Sequence, residues 1–186
     1  MAEDGKILVA YASRGGSTAG VAAAIGQVLA ARGLAVDVLP MAEVRDLAAY
    51  RAVVAGSAIR RERWLPEAMD FLRRHQADMT RKPFAAFLVC LALSARDPER
   101  LERARRSAAA WLEPARSLVR PLSEGLFAGE LNVGAIPEPG WRLLARLVAG
   151  LRILPEGDHR DWPAIRAWAA DLPALLAARR QELGHG

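Results

Sequence analysis

KILVAYASRGGSTAGVAAAIGQVLAAR, Lys6 to Arg32, reads as a strand, a small-residue hydroxyl loop and a helix in immediate succession. The apolar run Ile7 to Tyr11 is too short for a helix and rich in strand formers, the pattern of a buried parallel strand. From Ala12 the chain changes character. Ser13, Gly15, Gly16, Ser17 and Thr18 let backbone N–H groups converge on an anion without side-chain bulk, and three of them add hydroxyl donors. The helix after them, centred on Val21 to Leu29, aims the positive end of its dipole at the same point. Strand, loop and helix together predict a phosphate cradle.

The two best-known phosphate loops do not match. A Walker loop ends in Gly-Lys-Ser/Thr, and no lysine lies between Arg14 and Thr18; a dinucleotide fingerprint needs Gly-x-Gly-x-x-Gly, and here Gly15 and Gly16 are adjacent. What remains suits the terminal phosphate monoester of a nucleotide or flavin; the plain alternative is a Gly/Ser turn joining strand to helix. On these residues the chain resembles the flavodoxins, whose loop after the first strand has the form Thr/Ser-x-Thr/Ser-Gly-x-Thr and holds the phosphate of FMN. Ser13, Gly16 and Thr18 match that form, while Gly15 replaces a hydroxyl residue and removes one side-chain donor. The resemblance implies FMN as cofactor, with Ser13, Arg14, Gly15, Gly16, Ser17 and Thr18 at its phosphate.

At 186 residues the chain reads as one domain, 1–186, slightly longer than a minimal five-stranded doubly wound sheet needs, so an insertion is expected. The lone Cys90 lies in the apolar run Phe84 to Leu91, where it reads as a small buried hydrophobe in a reducing compartment. One cysteine and three scattered histidines make no metal cluster. The beginning MAEDGK is acidic and leads at once into a strand, unlike a secretory signal, and the longest uncharged apolar stretch, Pro83 to Ala95, is too short to span a bilayer. A cytoplasmic location is expected, with any membrane contact peripheral and on the inner face.

Strands and helices alternate along the rest of the chain. Gly33 closes the first helix, and Ala35 to Leu39 is a second strand stopped by Pro40. Arg51 to Gly56 is a third strand, and Pro66 to His75 an amphipathic helix with Met69, Phe71 and Leu72 inward. Phe84 to Leu91 is the fourth strand, Leu101 to Leu118 a helix with an arginine-rich outer face, and Leu122 to Gly129 the fifth strand. The last helix starts at Asp161 or Trp162, with Asp161 as cap and Pro163 in the first turn, and runs to Arg179. The pattern predicts an α/β three-layer sandwich on a five-stranded parallel doubly wound sheet, flavodoxin-like as the resemblance implies, with a helical insertion at about 130–160 before the last helix.

Ligands of such sheets sit outside the carboxyl ends of the strands. That rule selects Ser57, Ala58, Ile59, Arg60 and Trp64 after the third strand, and Leu91, Ala92, Leu93, Ser94 and Arg96 after the fourth, to frame an isoalloxazine ring. Trp64 either stacks on the ring or staples the next helix to the sheet. Arg60 and Arg61 either stabilise the negative charge of a reduced flavin or are surface arginines.

With these loops included the resemblance sharpens. Val53 to Arg60 (VVAGSAIR), Ser13-Arg14-Gly15-Gly16, Phe127-Ala128-Gly129 and Asp161-Trp162 are similar, in order and spacing, to the flavodoxin-type menaquinone-dependent protoporphyrinogen oxidases. The resemblance implies an FMN enzyme of haem biosynthesis that dehydrogenates the tetrapyrrole protoporphyrinogen IX and passes electrons to a quinone; the flavin carries the chemistry, so no catalytic side chain is named. Arg61 and Glu62 stand where that family has an aromatic residue and a glycine. The insertion core, Pro139 to Leu154, places Trp141, Leu144, Leu147, Val148 and Leu151 on one helical face and Arg142, Arg146 and Arg152 on the other. It reads as an interfacial membrane helix, as a helix packed on the sheet, or as a lid.

The net charge is +5, and Lys6 and Lys82 are the only lysines among 26 basic residues. Such a surface favours anionic lipid, a propionate-bearing tetrapyrrole or nucleic acid, but no recognition motif supports nucleic acid. A homo-oligomer is compatible with the sequence. A different class of function stays open beside the enzyme: a flavodoxin-like electron-transfer protein with no substrate of its own.

Overall fold

Five segments assemble into one sheet, and the three inner ones are apolar enough to be covered on both faces. The computed structural model describes residues 5–131 and 157–184. The strands β1 (Lys6–Ala12), β2 (Val36–Pro40), β3 (Tyr50–Arg60), β5 (Phe84–Cys90) and β6 (Glu124–Ala128) lie in the order β2-β1-β3-β5-β6, and β4 (Arg63–Trp64) folds back on the end of β3. Every pairing among the five is parallel. The winding reverses at β1 and β3, and there the carboxyl ends open a crevice for a ligand.

Helices cover both faces. α1 (Ser17–Ala31) lays Val21, Ile25 and Leu29 on one face, where they meet Ile165, Ala169 and Leu172 of the last helix, Trp162–Gly184. α2 (Pro66–Arg74), α3 (Gln76–Met79), α4 (Pro98–Trp111) and α5 (Glu113–Arg116) cover the other with Phe71, Leu72, Met79, Ala108, Leu112 and Ala115. The three-layer α/β sandwich predicted from the alternating elements is therefore the fold. At its centre the ring of Phe87 lies against Gly56, where a Cβ would sit 2.0 Å from Phe87 Cζ. Only glycine admits that approach, which lets Phe87 reach Phe127 and Trp168 at ring separations of 6.3 and 6.2 Å.

Several elements depart from the sequence reading. β3 does not stop at Gly56: Ser57 and Ala58 pair with Leu88 and Val89, Ile59 pairs with Trp64, and the stretch assigned to a loop is a hairpin. The helix predicted over Leu101 to Leu118 starts earlier, at Pro98, because the Asp97 carboxylate accepts the Arg100 N–H at 2.8 Å, and it breaks at Leu112, since Pro114 has no N–H to continue it. Pro40 ends β2 from within; β2 is an edge strand, where its missing donor leaves no neighbour unpaired. The fifth strand is shorter, Glu124–Ala128, and the last helix is longer, to Gly184, with Asp161 capping the Ala164 N–H at 3.0 Å.

The insertion is entered and left through an antiparallel pair, β7 (Glu130–Leu131) and β8 (Gly157–Asp158). Its predicted helix, Pro139 to Leu154, with Trp141, Arg142, Leu144, Arg146, Leu147 and Leu151, lies outside the described residues. Among the described residues no helix is long and apolar enough to cross a membrane.

Candidate functional site

Strand register brings the predicted loops together. Ala12 pairs with Ser57, Ala58 with Val89, and Cys90 with Ala128, so the segments that follow β1, β3 and β5 emerge side by side. Ser17 Oγ and Leu91 Cδ2 both lie within 4 Å of the point a Cβ on Gly129 would occupy, at 3.5 and 3.7 Å, which joins the first loop to the one after β5.

The first loop has the features of an anion cradle. Gly16 adopts φ +87°, a left-handed conformation that turns the chain into α1, and nothing lies within 4 Å of the positions a Cβ would take on Gly15 or Gly16. Among the described residues no side chain caps α1, and its first turn holds no acidic residue, so the positive end of its dipole is open to an anion there. Ser13 Oγ accepts the Gly16 N–H at 3.1 Å, the same kind of bond a phosphate oxygen would take. Beneath them Thr18 is fully buried, and its hydroxyl has no hydrogen-bond partner among the described residues. A buried hydroxyl without a partner is uncommon and asks for a reason. Arg14 reaches across to Glu67 in the first turn of α2 at 3.3 Å.

The hairpin after β3 is built differently from expectation. Ser57 is fully buried, and its hydroxyl donates to the Ala58 carbonyl at 2.8 Å and accepts the Leu65 N–H at 3.0 Å. Its side chain thus points inward and ties β3 to the start of α2. Trp64 is 5 % exposed and packs in the core under α2, which is the staple of the two roles open to it. Ala58 and Ile59 are half-buried, whereas Arg60, Arg61 and Arg63 are exposed. Arg61 and Glu62 form the turn with φ of +50° and +62°, where glycine or asparagine is usual. Sequence reasoning left Arg63 out, and the loop it assumed hid that Arg60 and Arg63 stand opposite each other.

After β5, Leu91 to Ser94 form a 3₁₀ turn closed by Ser94 Oγ donating to the Leu91 carbonyl at 2.6 Å. Leu91, Leu93 and Ser94 are half-buried, Ala92 and Arg96 exposed. Cys90 is buried, and burial pushes its thiol pKa up, away from reactivity.

The neck of the insertion sits on the same edge. Arg160, 12 % exposed in its side chain, pairs with Asp158 at 2.7 Å and with Glu130 at 2.9 Å, and stacks 4.5 Å over Trp162. The Arg160 bonds hold the Asp158 carboxyl down at about 2. Gly20 of α1 makes room, since a Cβ there would lie 2.5 Å from Arg160 Nη1.

An open parallel sheet whose winding reverses between β1 and β3, with a phosphate cradle after β1, defines a protein of the FMN-binding kind, whose work is electron transfer or oxidation and reduction. The chain belongs to the flavodoxin-domain family, whose model matches residues 8–137. Its fold is similar to that of a flavodoxin from the domain Archaea, at 17 % identity and TM-score 0.54, over 97 % of this chain and 99 % of that one. It is similar to oxidised flavodoxin 2 from Bacillus cereus at 20 % identity and TM-score 0.52, over 94 % and 99 % of the two chains. The flavodiiron protein from Giardia intestinalis gives 13 % identity and TM-score 0.58, over 96 % of this chain but 37 % of that one. No curated protein matches the chain by sequence. The flavodoxin resemblance drawn from the first loop thus holds at the level of family and fold, FMN is the cofactor of that fold, and the loop residues fit its phosphate.

Proposed function

We propose that the protein is an FMN-dependent oxidoreductase that dehydrogenates protoporphyrinogen IX, with a quinone as electron acceptor. The observation that carries the FMN part is the uncapped, acid-free start of α1 under Gly15 and Gly16, with the Thr18 hydroxyl buried and unpaired beside it. The support for the substrate is the ordered set of strings from Ser13 to Trp162 and the arginine-rich edge next to the cradle. A peripheral contact with the membrane that holds a quinone goes with this reading, and rests on the sequence of the insertion.

When bound, FMN supplies the two-electron redox centre. The chain supplies position and charge. Backbone N–H groups at Gly15, Gly16 and Ser17, with the hydroxyls of Ser13, Ser17 and Thr18, would hold the phosphate. The Ala58 to Arg60 backbone and the Leu91 to Ser94 turn would hold the ring, and the arginines of the hairpin would supply positive charge to it.

The test is the absorbance spectrum of the purified protein with and without added FMN, followed by anaerobic mixing with protoporphyrinogen IX and a soluble quinone. Yellow protein that forms porphyrin faster than the uncatalysed control is the expected result. Yellow protein without turnover means an electron carrier, and no flavin binding refutes the cofactor assignment.

A further inference from the structure

The outer side of the phosphate loop has nothing packed on it. Among the described residues no atom lies within 4 Å of the points a Cβ would take on Gly15 or Gly16, so the shape of the loop depends on what holds the first turn of α1 behind it. The neck of the insertion holds that turn. The point of a Cβ on Gly129 lies 3.5 Å from Ser17 Oγ, and the Gly129 carbonyl accepts the His159 N–H at 3.2 Å, so the two sides of the neck meet beside Ser17. The contact at Gly20 is tighter: a Cβ there would lie 2.5 Å from Arg160 Nη1 and 3.8 Å from Trp162 Cη2. Cα–Cβ bonds of a helix tilt towards its N-terminus, so this point faces the turn of Gly16 and Ser17, and the guanidinium lies over it.

Arg160 is pinned in that place. Its Nε and Nη2 donate to Asp158 at 2.7 and 2.8 Å, Nη2 donates to Glu130 at 2.9 Å, and the guanidinium stacks 4.5 Å over Trp162. Two carboxylates outweigh its single charge, so the trio is built to fix a position and not to attract an anion. We infer that Arg160 is a positioning residue for the phosphate of FMN: it braces the neck against Gly20 and thereby keeps the backbone N–H groups of the cradle aimed at one point. A cradle arranged in advance binds more tightly, because less ordering is left to the binding step. The consequence is selectivity, since only a flavin that carries the phosphate gains from the brace. The inference rests on the reading of the first loop as the FMN phosphate site.

Titration of the flavin-free protein with FMN and with riboflavin, which has the same ring and ribityl chain without the phosphate, tests it through quenching of flavin fluorescence. Gly20→Ala keeps every charge, puts the best helix former in place of glycine and drives a methyl group at Nη1. Its FMN affinity falls about tenfold while riboflavin affinity stays within about twofold. Arg160→Ala gives the same loss of selectivity. The two substitutions together cost no more than either alone, because each breaks the same contact.

Unchanged FMN affinity in the two variants overturns the inference. So does an equal loss for FMN and riboflavin, which makes Arg160 a support of the fold at large. A loss in Arg160→Ala alone means charge instead of position and also refutes it, as do additive losses in the double variant. Wild type that binds neither flavin refutes the cofactor reading and the inference with it, whereas wild type that binds FMN no better than both variants do refutes the inference alone.

Discussion

Replacing Thr18 with valine moves stability and cofactor affinity in opposite directions. Thr18 is fully buried, its hydroxyl unpaired, and valine has nearly the same shape with a methyl group in place of the oxygen. Removing an unpaired buried hydroxyl recovers about 1–3 kcal/mol of desolvation. In a chain of 186 residues each kcal/mol is worth roughly 2–4 °C. The FMN-free variant therefore melts a few degrees higher than wild type. If the hydroxyl turns to a phosphate oxygen when FMN binds, its loss removes a hydrogen bond to a charged group, about 1.5–3 kcal/mol, and weakens the Kd roughly ten- to a hundred-fold. Differential scanning fluorimetry of the FMN-free protein and quenching of flavin fluorescence measure the two quantities. Thr18→Ser serves as the counterpart, keeping the hydroxyl while losing a packed methyl, so it binds FMN but melts lower. A valine variant that melts lower and binds FMN as wild type does would place the hydroxyl in the packing and the phosphate elsewhere.

Gly56→Ala drives a Cβ to 2.0 Å from Phe87 Cζ, so it destabilises by about 1–3 kcal/mol or more through overpacking, read as a lower denaturant midpoint; an unchanged midpoint contradicts the packing described. Glu62→Gly relieves a positive φ at the exposed turn and raises stability by roughly 1 kcal/mol in thermal unfolding, whereas a loss of stability would mean that the Glu62 side chain secures the turn. His75 is buried, and burial first and Arg74 second lower its pKa, with Asp78 and Asp46 pulling the other way. The unfolded chain then binds a proton that the folded chain resists, so this contribution to stability is full above about pH 6.5 and is lost as pH falls below it. Urea midpoints of wild type and His75→Gln across that window check this, the variant showing the shallower acid-side fall.

Much of the fold was legible in one stretch. Ile7 to Tyr11 is apolar without period, Ser13 to Thr18 is small and hydroxylated, and the following helix repeats every three to four residues, so local chemistry dictates strand, loop and helix in turn. The same local logic gave the central strand at Phe84, the cap at Asp161 and the family resemblance. Sequence alone misjudged Ser57 to Trp64. Gly56 and Ser57 signal a strand end, but their partners are Phe87 and Leu88, far along the chain, and those pairings carry β3 on to Arg60. From that extension follow the inward Ser57 hydroxyl, the buried Trp64 and the opposition of Arg60 to Arg63. Residue types and their spacing thus determined the elements and the phosphate loop. Which side chains face a ligand was decided by non-local strand register, because a shift of one residue in register exchanges the buried and exposed faces.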